Sequence, residues 1–495
     1  MRKFLRIFDC KQLSFLLKTA DEIGYREHHA LAQRLQSSYP TLFPQSPHHK
    51  AYAFSATAKP RTQQSAQAFA AGLAGLPLAQ AVRALREAGE VGSEGVLSPE
   101  HLPHAPIDED RLLRFHSMCR RYQLEVKNND TLDVAVKGGD AAKLLRDAVG
   151  RQVAAALAEA GVALAALDDD EENCKAAEGG GDSAEALRGV DSAAMKAIWK
   201  ACQWETLHAT DPSRSNWCSL LGEEGVLTME TLGDLDMYWE KGPGLRLPSL
   251  MACELLQDVA AKLGKAAAVG GTAQKDLLGS TTTLRFAHAE TVVPLLGILG
   301  VVAGQFTPLR MPEAEEAAAE DVVSHLADRT WRMSELSPMA ANVMLVLHRC
   351  DGDSADADGQ LFVSVLHNEV PVVLPACAAV AAAAARASGG GSTTDELQLL
   401  CSWDSFLEAF KAELTECTLD EICAVDLSEE EPAAETATDE ADEKTGAPQW
   451  EEAGLQDDGM PVPPTPMRTY SGQHSTCHGI EQQFSLLLWP DLLAD

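Results

Sequence analysis

The chain is expected to fold as a helix-heavy α/β protein, and three observations carry that expectation. Hydrophobic residues make up 45% of its 495 residues while aromatics make up only 5%; many of the apolar positions are alanine, the best helix former. Two stretches, 51–73 and 282–302, each read as a strand followed by a helix. Between them, residues from about Gly75 to Gly270 carry mostly helical patterns broken by Gly-rich or acidic loops. The implied architecture is a sheet flanked by helices, with a large inserted helical cap domain and a disordered acidic C-terminal tail. Its expected divisions are 1–74, the first part of the α/β domain; 75–270, the cap; 271–426, the second part of the α/β domain; and 427–495, a Pro-containing low-complexity tail.

The elements are justified in chain order. Residues Thr19 to Leu42 fit an amphipathic helix, with Ile23, Leu31, Leu35 and Tyr39 on one side and Arg26, Glu27, Gln33 and Gln36 mostly on the other; Pro40 and Pro44 end it. Ala51 to Ser55 alternates as a strand does, Ala58 to Arg61 turns, and Ser65 to Leu73 returns to helical spacing. In the cap, Glu178-Gly179-Gly180-Gly181-Asp182 marks a loop. Strand character reappears at Thr282 to Ala287, an apolar helix runs on through Val302, and strands follow at Val343 to His348 and Leu361 to Leu366. Beyond Cys423 the composition turns to Glu, Ala, Thr and Pro, and Pro461 to Pro466 forbids helix and sheet alike. Phe484 to Leu493 is apolar enough to dock against something.

A formal net charge of −34 disfavours nucleic acid and anionic membrane as partners, since both are polyanions. Much of that charge sits in Asp168 to Glu172 and between Glu429 and Asp458, which read as solvated runs rather than a site. The twelve cysteines form no CxxC pair and no zinc-like Cys/His spacing, so no metal site is expected. Scattered disulfides and buried reduced thiols are both compatible with their spacing. The start, Met1 to Asp9, lacks an apolar run of signal-peptide length, and the best apolar stretch, Val292 to Val302, is too short to span a bilayer.

The segment that carries most chemistry is Leu284-Arg285-Phe286-Ala287-His288-Ala289-Glu290-Thr291-Val292-Val293-Pro294. A strand ending at His288 and a helix starting near Glu290 put an imidazole and a carboxyl side by side, where helix N-terminal amides favour an anion. A lone buried histidine is more often a satisfied core residue than a catalyst. This segment, however, resembles the His-Ala-Glu box of the multiple inositol polyphosphate phosphatases, a branch of the histidine acid phosphatases. The resemblance implies a histidine-phosphatase-type sheet, a phosphate-binding role for His288 and a proton-donor role for Glu290, which requires that carboxyl to be protonated when substrate is bound.

A second match, Phe54 to Phe69, is similar to that family's Ser/Thr-rich turn, arginine and Ser-Ala helix, and it places Arg61 on the phosphate-clamping, substrate-binding arginine. A planar guanidinium with several donors suits a phosphoryl group; the alternative is a surface arginine in a turn. Further blocks match in order and fix the subfamily more than the chemistry: Leu112 to Cys119, Ser215 to Cys218, Tyr238 to Gly244, and Leu366 to Glu369 with Leu374 to Cys377. Acid- and Ala-rich stretches near 136–195 and 310–327 look like surface insertions. Because Cys119, Cys202, Cys218, Cys253 and Cys350 fall where the family has cysteines, the resemblance favours disulfides, with Cys218–Cys253 as one bridge. It also implies a secretory-pathway glycoprotein, for which Asn129-Asp130-Thr131 would be an acceptor.

The family's first signature, Arg-His-Gly-x-Arg-x-Pro, supplies the nucleophilic histidine, two arginines and a central strand, and nothing in the chain matches it. Arg26-Glu27-His28-His29 has some of the letters but reads as a solvated helical face, and His48-His49 as a polar loop. The sheet's middle is therefore expected to be incomplete, by truncation or by loss in an inactive relative; the missing signal sequence favours truncation. The function implied is a cofactor-free phosphomonoesterase of inositol polyphosphates such as phytate, extending to 2,3-bisphosphoglycerate, acting through a phosphohistidine and working as a monomer on a small phosphorylated molecule. The alternative is a pseudo-phosphatase that binds phosphorylated ligands without turning them over.

Overall fold

The protein is seen in a computed structural model that describes residues 22–40, 42–43, 52–80, 105–106, 108–129, 140–159, 192–208, 216–268, 282–302, 329–350, 360–388, 399–425 and 483–488. The acidic runs at 168–172 and 429–458, the loop at 178–182, His48-His49, residues 310–327 and Pro461 to Pro466 lie outside the described residues.

The first unit is α1 (Glu22–Ser38), β1 (Tyr52–Ala56) and α2 (Pro60–Leu73). Leu31, Leu35, Phe54 and Phe69 close a shared core with Leu284 and Phe286. The two helices approach so closely that a Cβ on Gly72 would lie 2.4 Å from the His29 carbonyl oxygen, so only glycine fits there. His28 and His29 are therefore not on a solvated face. His28 is 0% exposed, with its ring edge toward Phe286, and the His29 Nε2 lies 2.8 Å from the Leu76 carbonyl oxygen. The reason is helical spacing, since positions 28, 31, 32 and 35 share one face.

The middle of the chain is helical: short turns at Phe115–Met118 and Arg120–Tyr122, a π-turn at Gln123–Lys127, then α3 (Asp140–Glu159), α4 (Ser192–His208), α5 (Asn216–Glu240) and α6 (Cys253–Ala268). Residues 140–159, expected as part of a loop-like surface insertion near 136–195, are a helix. Val149, Val153, Met195, Ile198 and Leu221 make a separate core with α5. Gly222 interrupts α5 at φ 65, a value glycine adopts without strain.

The sheet holds β1, β2 (Thr282–Phe286), β3 (Asn342–Cys350), β4 (Gln360–His367), β5 (Val370–Val372), β6 (Cys401–Ser402) and β7 (Gln483–Leu488). The order is β1-β2-β7-β3-β4-β5, with β6 pairing β4. β1, β2 and β7 are parallel, whereas β3 is antiparallel to both β7 and β4. The expected gap in the middle is absent, because a strand from within 427–495 fills it: Leu486 pairs with Leu284 on one side and Met344 on the other. After β2 comes α7 (Ala289–Ile298), which packs so tightly that a Cβ on Gly297 would meet the Ser249 hydroxyl at 2.2 Å.

β4 and β5 join through Asn368 and Glu369, at φ 49 and 66, the left-handed pair that a two-residue hairpin needs. Glutamate is uncommon there, and Arg34 holds it in a two-pronged ion pair at 2.6 and 3.0 Å.

Among the described residues the bridges with both partners described are Cys119–Cys423, Cys202–Cys218, Cys253–Cys417 and Cys377–Cys401, and Cys350 is disulfide-bonded as well. Cys218–Cys253, expected from the resemblance, does not form. Cys218 is bridged instead to Cys202 and Cys253 to Cys417.

Candidate functional site

Because β1 and β2 are parallel neighbours, their C-terminal ends lie together and the helices that follow, α2 and α7, begin side by side. The Thr57 amide continues the pairing by donating to the Phe286 carbonyl at 3.1 Å. Neither helix start is capped by a side chain, and Pro60 opens α2 where its missing N–H costs nothing. Two positive helix ends thus face one place. Clefts at the carboxyl ends of parallel strands are where open α/β sheets bind ligands.

His288, 2% exposed, is the hub. An Arg61 terminal nitrogen approaches its Nδ1 at 3.2 Å, and its Nε2 lies 2.9 Å from the Thr57 hydroxyl. A guanidinium can only donate, and Arg114 lies near Nε2 as Arg61 does near Nδ1, so the threonine side decides: the Thr62 hydroxyl is committed to a carbonyl, Thr57 must donate to Thr62, and the proton sits on Nε2. The chain continues in one direction: Nε2–H to Thr57, the Thr57 hydroxyl to the Thr62 Oγ1 at 2.9 Å, and the Thr62 hydroxyl to the Lys59 carbonyl at 2.7 Å. Burial first, then the Arg61 charge, holds the imidazole well below its usual pKa, so it stays neutral. That fixes its tautomer and ring plane.

The segment after Asp110 brings a second guanidinium. Asp110 accepts from the Leu113 amide at 2.8 Å, the Thr291 hydroxyl donates to the Leu113 carbonyl at 2.6 Å, and Cys119 is bridged to Cys423. Arg111 adds a two-pronged pair with Glu254 at 2.6 and 2.9 Å. So anchored, Arg114 reaches within 3.4 Å of the His288 Nε2 while donating to the Ser117 hydroxyl at 2.9 Å. His116, buried beside it, is lowered to about 3 by desolvation and is neutral.

Glu290, in the first turn of α7, pairs with the Lys241 ammonium at 2.7 Å, and the two side chains are only 13% and 5% exposed. Lys241 follows the last residue of α5, in a turn fixed by contacts that exclude any side chain: a Cβ on Gly242 would meet the Trp331 ring at 2.6 Å, and one on Gly244 the Trp239 ring at 2.7 Å. Three cations, one carboxylate, two neutral imidazoles and two helix N-termini therefore converge on one point. Such a surround favours an anion with several oxygens.

Arg61, His288 and Glu290, singled out from sequence, are brought together. Arg114, His116 and Lys241 were missed as site residues, although the blocks 112–119 and 238–244 had been noted as matches. The available signal was a basic residue inside each block. Among the described residues no cluster of three or more His, Cys, Asp or Glu is placed to hold a metal ion, and no helix is long and apolar enough to cross a membrane.

Residues 9–368 match the family described as histidine phosphatase superfamily (branch 2), and the chain belongs to that family. Among curated proteins it is similar to multiple inositol polyphosphate phosphatase 1 of Gallus gallus, 27% identical over 351 residues, covering 71% of this chain and 63% of that protein. The Homo sapiens protein of the same name is 25% identical over 353 residues, covering 70% and 60%. The chain thus spans less than two thirds of the length of these relatives. Among solved structures, a Bifidobacterium longum multiple inositol polyphosphate phosphatase in complex with inositol hexasulfate aligns at 20% identity and a TM-score of 0.44, covering 71% of this chain and 74% of that one. A phytase from D. castellii aligns at 13% identity and a TM-score of 0.48, covering 82% and 67%.

Proposed function

We propose that the chain carries the phosphate-binding and proton-donating half of an inositol polyphosphate phosphomonoesterase. The observation that supports this most is the convergence of Arg61 and Arg114 on a neutral, tautomer-fixed His288 beside Glu290. The guanidiniums clamp the phosphoryl oxygens, His288 adds a neutral hydrogen bond once a phosphoryl oxygen takes its Nε2–H over from Thr57, and Glu290 protonates the departing inositol oxygen. In this family's chemistry a phosphohistidine forms on the histidine of Arg-His-Gly-x-Arg-x-Pro; the 495-residue sequence contains no Arg-His-Gly. That observation favours a second reading, a binder of phosphorylated ligands without turnover. Four disulfides among the described residues support a secretory-pathway setting with Asn129 as glycan acceptor, and a mass loss on glycosidase treatment of the secreted protein tests it.

The chain expressed as given is expected to bind inositol hexasulfate but to release little phosphate from phytate between acidic and neutral pH. Arg61→Ala and His288→Ala each remove a ligand contact and are expected to weaken binding by about 1.5–3 kcal/mol, roughly ten- to a hundredfold. Turnover that vanishes in His288→Ala and Glu290→Ala would show that a nucleophile is present after all. Absence of binding would remove the site assignment itself.

A further inference from the structure

The ion pair between Lys241 and Glu290 poses a chemical problem for the function proposed above, on which this inference rests. A carboxylate held 2.7 Å from a buried ammonium is in the wrong charge state to give a proton. The donor must acquire its proton at some later stage. We propose that the ligand itself triggers that step: a polyanionic ester seated on Arg61, Arg114 and His288 takes over the Lys241 ammonium, and Glu290, released from its partner beside new negative charge, picks up a proton from solvent.

The geometry supports such an exchange. Glu290 is two residues beyond His288 in the same strand-to-helix junction, so an ester over the imidazole sits next to the carboxylate. Lys241 belongs to a different element, the turn after α5, held rigidly by Gly242 and Gly244 against Trp331 and Trp239, so its ammonium can choose between two acceptors while its backbone stays put. Among the described residues, the other charged or titratable groups grouped with Glu290 include His288 and Arg61, and His116 with Arg114 and Lys127 from the 108–129 segment. Both imidazoles are neutral, and Arg114 is engaged with Ser117. The balance is simple: one Lys241 N–H hydrogen bond passes from Glu290 to a ligand oxygen, and one proton passes from a protonated buffer molecule in solvent to Glu290, leaving the buffer's conjugate base, with no other bond made or broken. Glu290 is thereby armed as a donor only while substrate is bound, and Lys241 is a positioning residue that acts through it.

Inositol hexasulfate is a suitable probe because its sulfates do not titrate near neutral pH, so any proton taken up on binding goes to the protein. Calorimetric titration of the full chain in two buffers of different ionisation enthalpy, near pH 6, is expected to show uptake approaching about one proton per ligand. In Glu290→Gln, which cannot be protonated, binding persists and the uptake falls to near zero. In Lys241→Met the carboxyl has no cation to hold it ionised before binding, and the uptake again drops. Lys241→Arg, which restores the cation, is expected to recover it. Binding with no proton uptake by the unaltered chain, or with equal uptake by Glu290→Gln, overturns the inference. Uptake that survives Glu290→Gln but is lost in His116→Gln places the proton on the imidazole and overturns it too. Failure of the unaltered chain to bind the probe at all sinks the anion site proposed above, a separate and distinguishable result.

Discussion

His288 shows how a single side chain is fixed by its neighbours' chemistry. Guanidiniums lie near both ring nitrogens, and it is the backbone carbonyl at the far end of two threonine hydroxyls that orients the hydrogen bonds and leaves the proton on Nε2. Thr57→Val keeps the shape but strands a buried N–H, so it is expected to cost about 1–3 kcal/mol in thermal unfolding and to weaken inositol hexasulfate binding by loosening the ring. Burial also depresses His348, to about 4, against the Ser364 hydroxyl. Its folded form binds protons less readily than its unfolded form, so its contribution to stability is intact above the ordinary histidine range. It is lost as pH falls through that range toward 4, at up to about 1.4 kcal/mol per pH unit. His348→Gln is expected to flatten the unfolding midpoint between pH 6.5 and 4 relative to the unaltered chain. Arg61, His288 and Glu290 stand out as candidates in the sequence because the segments 54–69 and 284–294 resemble the family's boxes at two strand-to-helix junctions. Arg114 and Lys241 do not, because what brings them to the candidate site is a contact made across 174 residues for one and with a residue on another helix for the other.

At the scale of elements, the segment 108–129 is short and irregular, and it is held by anchors rather than by its own helicity. Asp110, Thr291, the Arg111–Glu254 pair and the Cys119–Cys423 bridge all act on it. Cys119→Ser with Cys423→Ser opens a loop of 304 residues, and the loss is expected to be on the order of 2–5 kcal/mol. Calorimetry is expected to show a lower melting temperature and weaker inositol hexasulfate binding together, because Arg114 rides on this segment. The sequence conveyed α1, α7 and strands β1 to β4 to within a few residues, since hydrophobic period decides them, whereas α2 starts at Pro60, inside the expected turn and five residues before the expected Ser65. It conveyed neither the helix at Asp140–Glu159, where alanine blurs the period, nor the disulfide partners. Pairs such as Cys253–Cys417, 164 residues apart, are set by the finished fold and not by spacing.

For the whole molecule, the sheet is two halves of opposite sense, parallel β1-β2 and antiparallel β3-β4-β5, joined edge to edge through β7 among the described residues. Leu486→Pro removes a ladder hydrogen bond from the middle of that strand, and proline is tolerated in sheets only at edges and bulges. It is expected to cost at least about 3 kcal/mol; soluble yield and melting temperature should both fall, whereas proline at Pro371, on the outer β5, is already accommodated. No sequence pattern pointed to β7 as the centre of the sheet. The apolar run at 484–493 announced docking, but which two strands it would separate depends on their mutual arrangement.

The placement of β7 has a consequence for the timing of synthesis. Strands β1 to β6 leave the ribosome well before the strand that must lie between them. At ordinary elongation rates the interval between β6 and β7 is on the order of several seconds, during which β2 and β3 each present an open row of backbone donors and acceptors. The nascent chain therefore has a vulnerable period built into its strand order, and a chaperone that covers exposed strand edges would bear more on its yield than the stability of the finished fold.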